Sequence, residues 1–223
     1  MKVSEALESR LSVRSFLADP VPVETIRAIL ETAKRAPSGG NLQPWQVYVV
    51  TGAKLTELKA LIQSRLGVTP KGEGTEYHIY PPDLSEPYNS RRFRVGEQLY
   101  AAIDIPRDNK FGRLLQFARN FELFGAPAAL FFAIDRQMQQ GQWADLGMFM
   151  QSIMLLAREY GLDTCPQEAW AIWHKTLGEF LGIPDNLMLF AGMALGYREA
   201  DHPLNHLRTE RAALEEFTTF FGD

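Results

Sequence analysis

The chain has 223 residues, a formal net charge of -4, and 46% hydrophobic and 22% charged residues. This is the make-up of a globule able to bury a core, and its acidic balance gives no support for a nucleic-acid-binding face. The single cysteine, Cys165, excludes an internal disulfide, and no apolar run approaches the roughly 18 residues of a transmembrane helix.

In chain order, residues 3–11 read as a short helix with Val3, Ala6, Leu7 and Leu11 inward. They carry no apolar signal-peptide core, so a cytoplasmic protein is expected. Arg10, Ser12 and Arg14 follow, two apart. In an extended chain such residues share a face, and two guanidinium forks beside a hydroxyl suit a phosphate monoester. Pro22 suits the start of a helix whose Val23, Ile26, Leu30 and Ala33 recur at helical spacing.

Residues 37–45, Pro-Ser-Gly-Gly-Asn-Leu-Gln-Pro-Trp, join that helix to a strand at Trp45–Thr51. Gly39 and Gly40 let main chain approach a ligand, and Ser38, Asn41 and Gln43 add donors and acceptors. Leu55, Leu58, Leu61 and Ile62 mark a helix over 53–66. Residues 67–89 read as a long loop, and a loop of that length in a compact chain is commonly functional.

Helices are expected over 90–103 and 110–124, then an almost wholly apolar strand at 126–134, covered on both faces. The pattern predicts a helix over 143–160 with a broad apolar face and Gly161 at its C-terminal cap. A strand at 187–195 follows. The tail from Arg211 to Phe221 holds Leu214, Phe217, Phe220 and Phe221, enough apolar area to expect docking, on this chain or on a partner. The sum is an α+β fold, a small mixed sheet flanked by helices.

Side-chain chemistry alone yields no familiar catalytic plan. There is no G-x-S-x-G, no H-E-x-x-H, no phosphate-binding P-loop and no G-x-G-x-x-G after a strand. His202 and His206 are four apart, but Pro203 lies between them and the segment reads as loop rather than as a metal site. Cys165 has no histidine at helical or strand spacing, and reads as a small buried thiol.

Taken together, these segments resemble the FMN-dependent nitroreductase family, within it the branch of nitrobenzoate and nitroaromatic reductases. Four motifs, in family order, carry the resemblance. They are Arg10/Ser12/Arg14; Pro37-Ser38 with Asn41, Gln43, Pro44 and Trp45; Gly161-Leu-Asp-Thr-Cys-Pro-Gln-Glu168; and the Gly192-Met-Ala-Leu-Gly-Tyr197 turn with Arg208 and Arg211.

The resemblance implies one nitroreductase-like domain over 1–223, dimeric, with 67–122 as a variable insertion that sets substrate choice. It implies FMN with its phosphate on Arg10, Ser12 and Arg14, helped by Arg208 or Arg211. Pro37, Ser38, Gly39, Asn41 and Gln43 would reach the ring from the other side, on this chain or on the second subunit in a site that straddles the dimer, and Pro166, Gln167 and Glu168 would run along the ring edge. The reaction implied is ping-pong. NADH or NADPH would reduce the flavin, which then reduces a nitroaromatic or quinone-like acceptor. Enone reduction, dehalogenation, flavin breakdown and a non-enzymatic flavin-binding role stay open. Phe117, Phe121, Phe124, Trp143 and Trp170 are candidate wall residues, each also suited to the core.

Overall fold

In the computed structural model, residues 1–222 are described; Asp223, the last residue of the expected 1–223 domain, lies outside them. The helices are α1 (Val3–Ser9), α2 (Val23–Ala33), α3 (Gly52–Leu66), α4 (Tyr88–Ala101), α5 (Lys110–Ala118), α6 (Gln140–Glu159), α7 (His174–Leu181) and α8 (Pro203–His206). The strands are β1 (Trp45–Thr51), β2 (Ala128–Asp135), β3 (Asp163–Gln167) and β4 (Leu187–Gly196), in the spatial order β1-β2-β4-β3.

All three ladders are antiparallel. The mixed character expected of the sheet is confined to one parallel bridge, Ser12 to Thr164, on the outer edge of β3. β2 is apolar throughout because both faces are covered. Ala129 and Phe131 point into a layer built by Leu55, Leu58, Ile62, Phe121, Trp170 and Leu177. Leu130, Phe132 and Ile134 point into the opposite layer with Ile26, Ile29, Leu146, Phe149 and Ile153. That alternation is the two-residue period of a strand.

Three elements depart from expectation. β3 was not expected as a strand. Pro166 cannot donate to a ladder, and here it sits in an edge strand, where that loss is tolerated. The helix expected over 110–124 stops at Ala118 and continues as a 3-10 turn over Arg119–Gly125, where Leu123 and Phe124 take positive φ of 55° and 54°. The segment Gly192–Tyr197, matched to a turn motif, is not a turn: Gly192–Gly196 is the second half of β4, as the strand expected at 187–195 requires, and Tyr197 follows it. A Cβ at Gly192 would lie 2.5 Å from the Trp170 ring, so glycine there admits the indole. α6 buries Leu146, Phe149, Ile153 and Ala157 as expected, and Gly161 caps it at φ +71°.

Of the two placements expected for the tail, docking on this chain is not seen: Phe217, Phe220 and Phe221 are 70%, 78% and 94% exposed, so the described residues of this chain leave them uncovered.

Candidate functional site

Residues 10–16 cross the edge of β3 as extended chain. Val13 N–H donates to Thr164 O at 3.0 Å and Phe16 N–H to Phe124 O at 3.1 Å. Leu11 and Val13 are buried on one side, while Arg10, Ser12 and Arg14 line a cavity of about 420 Å³ on the other. Leu207, Arg208, Thr209 and Arg211 close it from the C-terminal segment. Both arginines that sequence reasoning left as alternatives therefore reach the same cavity.

Main chain steers these guanidinium groups. Arg14 Nη1 donates to Ser12 O at 3.2 Å, Arg208 Nη1 to Asn205 O at 3.3 Å, and Arg211 Nη1 to Thr209 Oγ1 at 2.7 Å. Among the described residues, none of Arg10, Arg14, Arg208 and Arg211 forms an ion pair. Burial, and then the neighbouring Arg211, push Arg10 below the ordinary guanidinium value. Four cations so gathered, with only Glu8 as an acid on the wall, are a site that a phosphate dianion would relieve.

Two buried polar groups that the sequence did not single out hold this geometry. The Asn205 side chain, 2% exposed, accepts from Arg14 N–H at 2.9 Å. It donates to Ser15 O and Glu199 O at 2.8 Å each. Asp163, 3% exposed, pairs with Arg158 at 2.9 Å and Arg198 at 2.6 Å, and both arginines also bond Ser9. One amide thus joins the two arginine-bearing segments, and one carboxylate fixes the residue before Arg10.

Arg14 also lines a second cavity, of about 580 Å³, so the two spaces adjoin there. Its floor is Pro166, Gln167, Glu168 and Ala169, with Ala191 of β4 beside them. Gly147, Met150 and Met154 of α6, Phe117, Asn120 and Phe190 form walls, and Ile79 and Tyr80 come from the 67–87 segment. Gln167 Nε2 donates to Asn120 O at 2.8 Å, while its Oε1 is buried without a partner. Burial raises the Glu168 carboxyl above the ordinary range. An apolar slot with an unsatisfied carbonyl oxygen at its floor fits a flat ring bearing an N–H donor.

Of the candidate wall aromatics, Phe117 lines this cavity. Phe121, Phe124 and Trp170 are core. Trp143 stands behind the wall, edge-on to Tyr77 and Phe190 at 5.2 and 5.6 Å between centroids. Cys165 is buried, with its thiol pushed up to about 11 by burial, which keeps it protonated and unreactive at neutral pH. His202 caps α8, its Nδ1 accepting from Leu204 N–H at 3.3 Å.

The loop Pro37, Ser38, Gly39, Asn41 and Gln43 does not join these residues. It lines neither cavity. It leads into β1, at the far edge of the sheet from β3, three strand spacings or about 14 Å away. The loop is nevertheless shaped. Asn41 and Gln43 hold φ of 56° and 49°, Gln43 N–H donates to Ser38 Oγ at 3.0 Å, and Gly39 N–H donates to buried Asp145 at 3.1 Å. Strain of this kind in non-glycine residues persists where the surrounding bonds over-determine it, as they do here. No sequence signal marks Asp145 as its anchor, since it interrupts the apolar face of α6.

Residues 7–197 match the Nitroreductase family. The chain is 38% identical over 218 residues to the nitrobenzene nitroreductase of Ectopseudomonas oleovorans, covering 98% of this chain and 96% of that protein. It is 37% identical over 216 residues to the 4-nitrobenzoate reductase of Pseudomonas putida, covering 96% and 93%. Among solved structures, the FMN and NADPH-dependent nitroreductase NfnB from Sphigopyxis sp. strain HMH superposes with a TM-score of 0.96 at 45% identity, each chain covered completely. The chain belongs to the Nitroreductase family.

Proposed function

We infer that this member of the Nitroreductase family is an FMN-dependent NAD(P)H oxidoreductase acting on nitroaromatic-type acceptors. The observation that carries the reading is the convergence of four unpaired arginines on a cavity that adjoins, at Arg14, an apolar slot floored by Pro166–Ala169. Full-length similarity to relatives named for nitrobenzene and 4-nitrobenzoate reduction supports the same chemistry.

Arg10, Ser12, Arg14, Arg208 and Arg211 hold the phosphate, whose charge is about -2. Pro166, Gln167 and Glu168 would flank the flavin ring, with the main-chain N–H groups of Gln167 and Glu168 as the available donors, since Pro166 has none. When bound, FMN supplies the two-electron transfer between nicotinamide and acceptor that no side chain here can perform. Ile79, Met150, Met154 and Phe190 keep water from the slot, and the Glu168 carboxyl keeps its proton to a higher pH than a solvated glutamate. With one slot for both substrates, the nicotinamide leaves before the acceptor enters.

The active unit in this reading is a homodimer. The 37–43 loop is ordered and strained yet lies off the cavities of its own chain, and the tail phenylalanines are uncovered. A second copy that covers the tail and brings its Ser38, Gly39, Asn41 and Gln43 to the slot satisfies both. The region 67–122 then sets acceptor choice, since it contributes Ile79, Tyr80, Phe117 and Asn120 and nothing that holds the phosphate.

The test is the visible spectrum of the purified protein under anaerobic conditions. A yellow protein that bleaches with NADH or NADPH and regains colour with a nitroaromatic is expected. A colourless protein that does not take up added FMN overturns the reading. Arg10→Ala removes a charge-assisted contact of about 1.5–3 kcal/mol, so FMN should bind at least about tenfold more weakly. A stable, flavin-loaded monomer in sedimentation would remove the dimer from the reading.

A further inference from the structure

Helix α4 carries three arginines in one run, Arg91, Arg92 and Arg94, and they are not treated alike. Arg91 pairs with Glu216 at 2.9 Å and Arg94 with Glu210, both acids from the C-terminal tail. Arg92 has no carboxylate within ion-pair distance among the described residues. Its guanidinium lies 4.1 Å from the centroid of the Tyr80 ring. Tyr80 lines the ring-side cavity and is 51% exposed, which puts it at the mouth.

Tyr80 does not hang freely. Seven residues before it, Glu73 accepts from Lys175 N–H at 3.0 Å, Thr176 N–H at 3.1 Å and Thr176 Oγ1 at 2.5 Å. Glu76 pairs with Arg136 at 2.7 Å, and Tyr77 Oη donates to Phe190 O at 2.5 Å. The segment is pinned three residues before Tyr80, and the ring in turn holds a cation that forms no ion pair among the described residues. A cation stacked on an aromatic face keeps its fork free for an anion.

We propose that Arg92, stacked on Tyr80 at the mouth of the ring-side cavity, receives the anionic group of a substrate whose ring occupies that cavity. This rests on the redox reading of the cavity and deepens it by naming the substrate class. The anion has two sources of shared chemistry, a carboxylate on a nitroaromatic acceptor or a phosphate of the nicotinamide donor. Both are planar-fork ligands of guanidinium.

The experiment uses FMN-loaded wild type, Arg92→Gln, Arg92→Lys and Tyr80→Leu. Benzoate and NADP⁺ are titrated separately into each oxidised holoenzyme and followed by the flavin spectrum. kcat/KM is measured for 4-nitrobenzoate, nitrobenzene and NADPH. Arg92 is exposed, so an effect of about three- to tenfold is expected rather than more.

If the acceptor supplies the anion, Arg92→Gln weakens benzoate and lowers kcat/KM for 4-nitrobenzoate by that factor, leaving nitrobenzene unchanged. If the donor supplies it, NADP⁺ weakens and kcat/KM for NADPH falls with either acceptor. In both cases Arg92→Lys retains part of the effect and Tyr80→Leu reproduces part of the loss. FMN content equal to wild type certifies that the variants are folded. Changes within twofold for every ligand in a flavin-loaded variant overturn the proposal and leave the redox reading standing. A wild type without flavin fails the reading itself.

Discussion

The arginine-lined end of the site and the 67–122 region are built by different physics. Around the arginines, the two buried polar side chains that tie the segments together, Asn205 and Asp163, are fully partnered. Asn205 makes three bonds and Asp163 two ion pairs, and both are nearly inaccessible to water. In 67–122, helix α4 buries no residue, Phe93, Phe111 and Leu115 are more than half exposed, and the ion pairs from α4 to the tail stand largely in solvent. The difference separates two demands. The arginine-lined end is over-determined, while the 67–122 end hangs from a few anchors and can change without disturbing the other.

The largest effect that tests this contrast is Asp163→Asn. Removing the carboxylate leaves Arg158 and Arg198, which are 16% and 20% exposed, without their counter-ion. Breaking such a buried pair costs about 3–5 kcal/mol, equivalent to a fall in Tm of roughly 10 °C for a chain of this size. FMN affinity should fall too, because Ser9 and hence Arg10 lose their anchor. A variant that melts within 2 °C or so of wild type would show that the buried network does not hold the arginine-lined end.

Next in size is Glu73→Gln, aimed at the main anchor of the other region. Burial raises the Glu73 pKa, but the bonds from the Thr176 hydroxyl and from the Thr176 and Lys175 N–H groups outweigh it, and the net shift is downward from 4.5. A lowered carboxylate stabilises the fold above its unfolded pKa and loses that contribution as pH falls through the folded one. Bonds to a charged acceptor contribute about 1.5–3 kcal/mol. The variant should therefore melt lower than wild type at pH 7 and converge with it as the pH drops below 4.5. Proteolysis within 67–87 should quicken, and FMN affinity should hold. Loss of FMN in this variant would break the separation between the two regions.

How far the sequence foretold these regions depends on the range of the interactions. Arg10, Ser12 and Arg14 were legible because a two-residue period needs no partner to be seen. The buried run of β2 was legible because apolarity on both faces leaves a continuous signature. Asp163 and Asn205 were not. A buried polar residue looks like a surface one until its partner is known, and Arg14 is 191 residues from Asn205. β3 was hidden by Pro166, and the break of α5 at Ala118 by phenylalanines that keep helical spacing through a stretch whose backbone does not. The 37–43 motif was visible as a motif, but its distance from the cavities of its own chain is a property of strand order.

The smallest expected effect is the sharpest control. Arg94 and Glu210 are 56% and 59% exposed, and their contact ties α4 to the tail across 116 residues of sequence. It is close and singly made, with water on all other sides, so its Coulomb gain is screened and two long side chains are ordered to achieve it. Exposed pairs of this kind contribute about 0–1 kcal/mol. Arg94→Gln should thus move Tm by no more than roughly 4 °C, and raising salt from low to physiological strength should shrink even that, since the Debye length falls to about 8 Å. The substitution removes one formal charge, as Asp163→Asn does, but it strands one exposed partner where Asp163→Asn strands two half-buried ones. If Arg94→Gln instead costs as much as Asp163→Asn, the tail is clamped rather than laid on α4. The 67–122 region would then be as over-determined as the arginine-lined end.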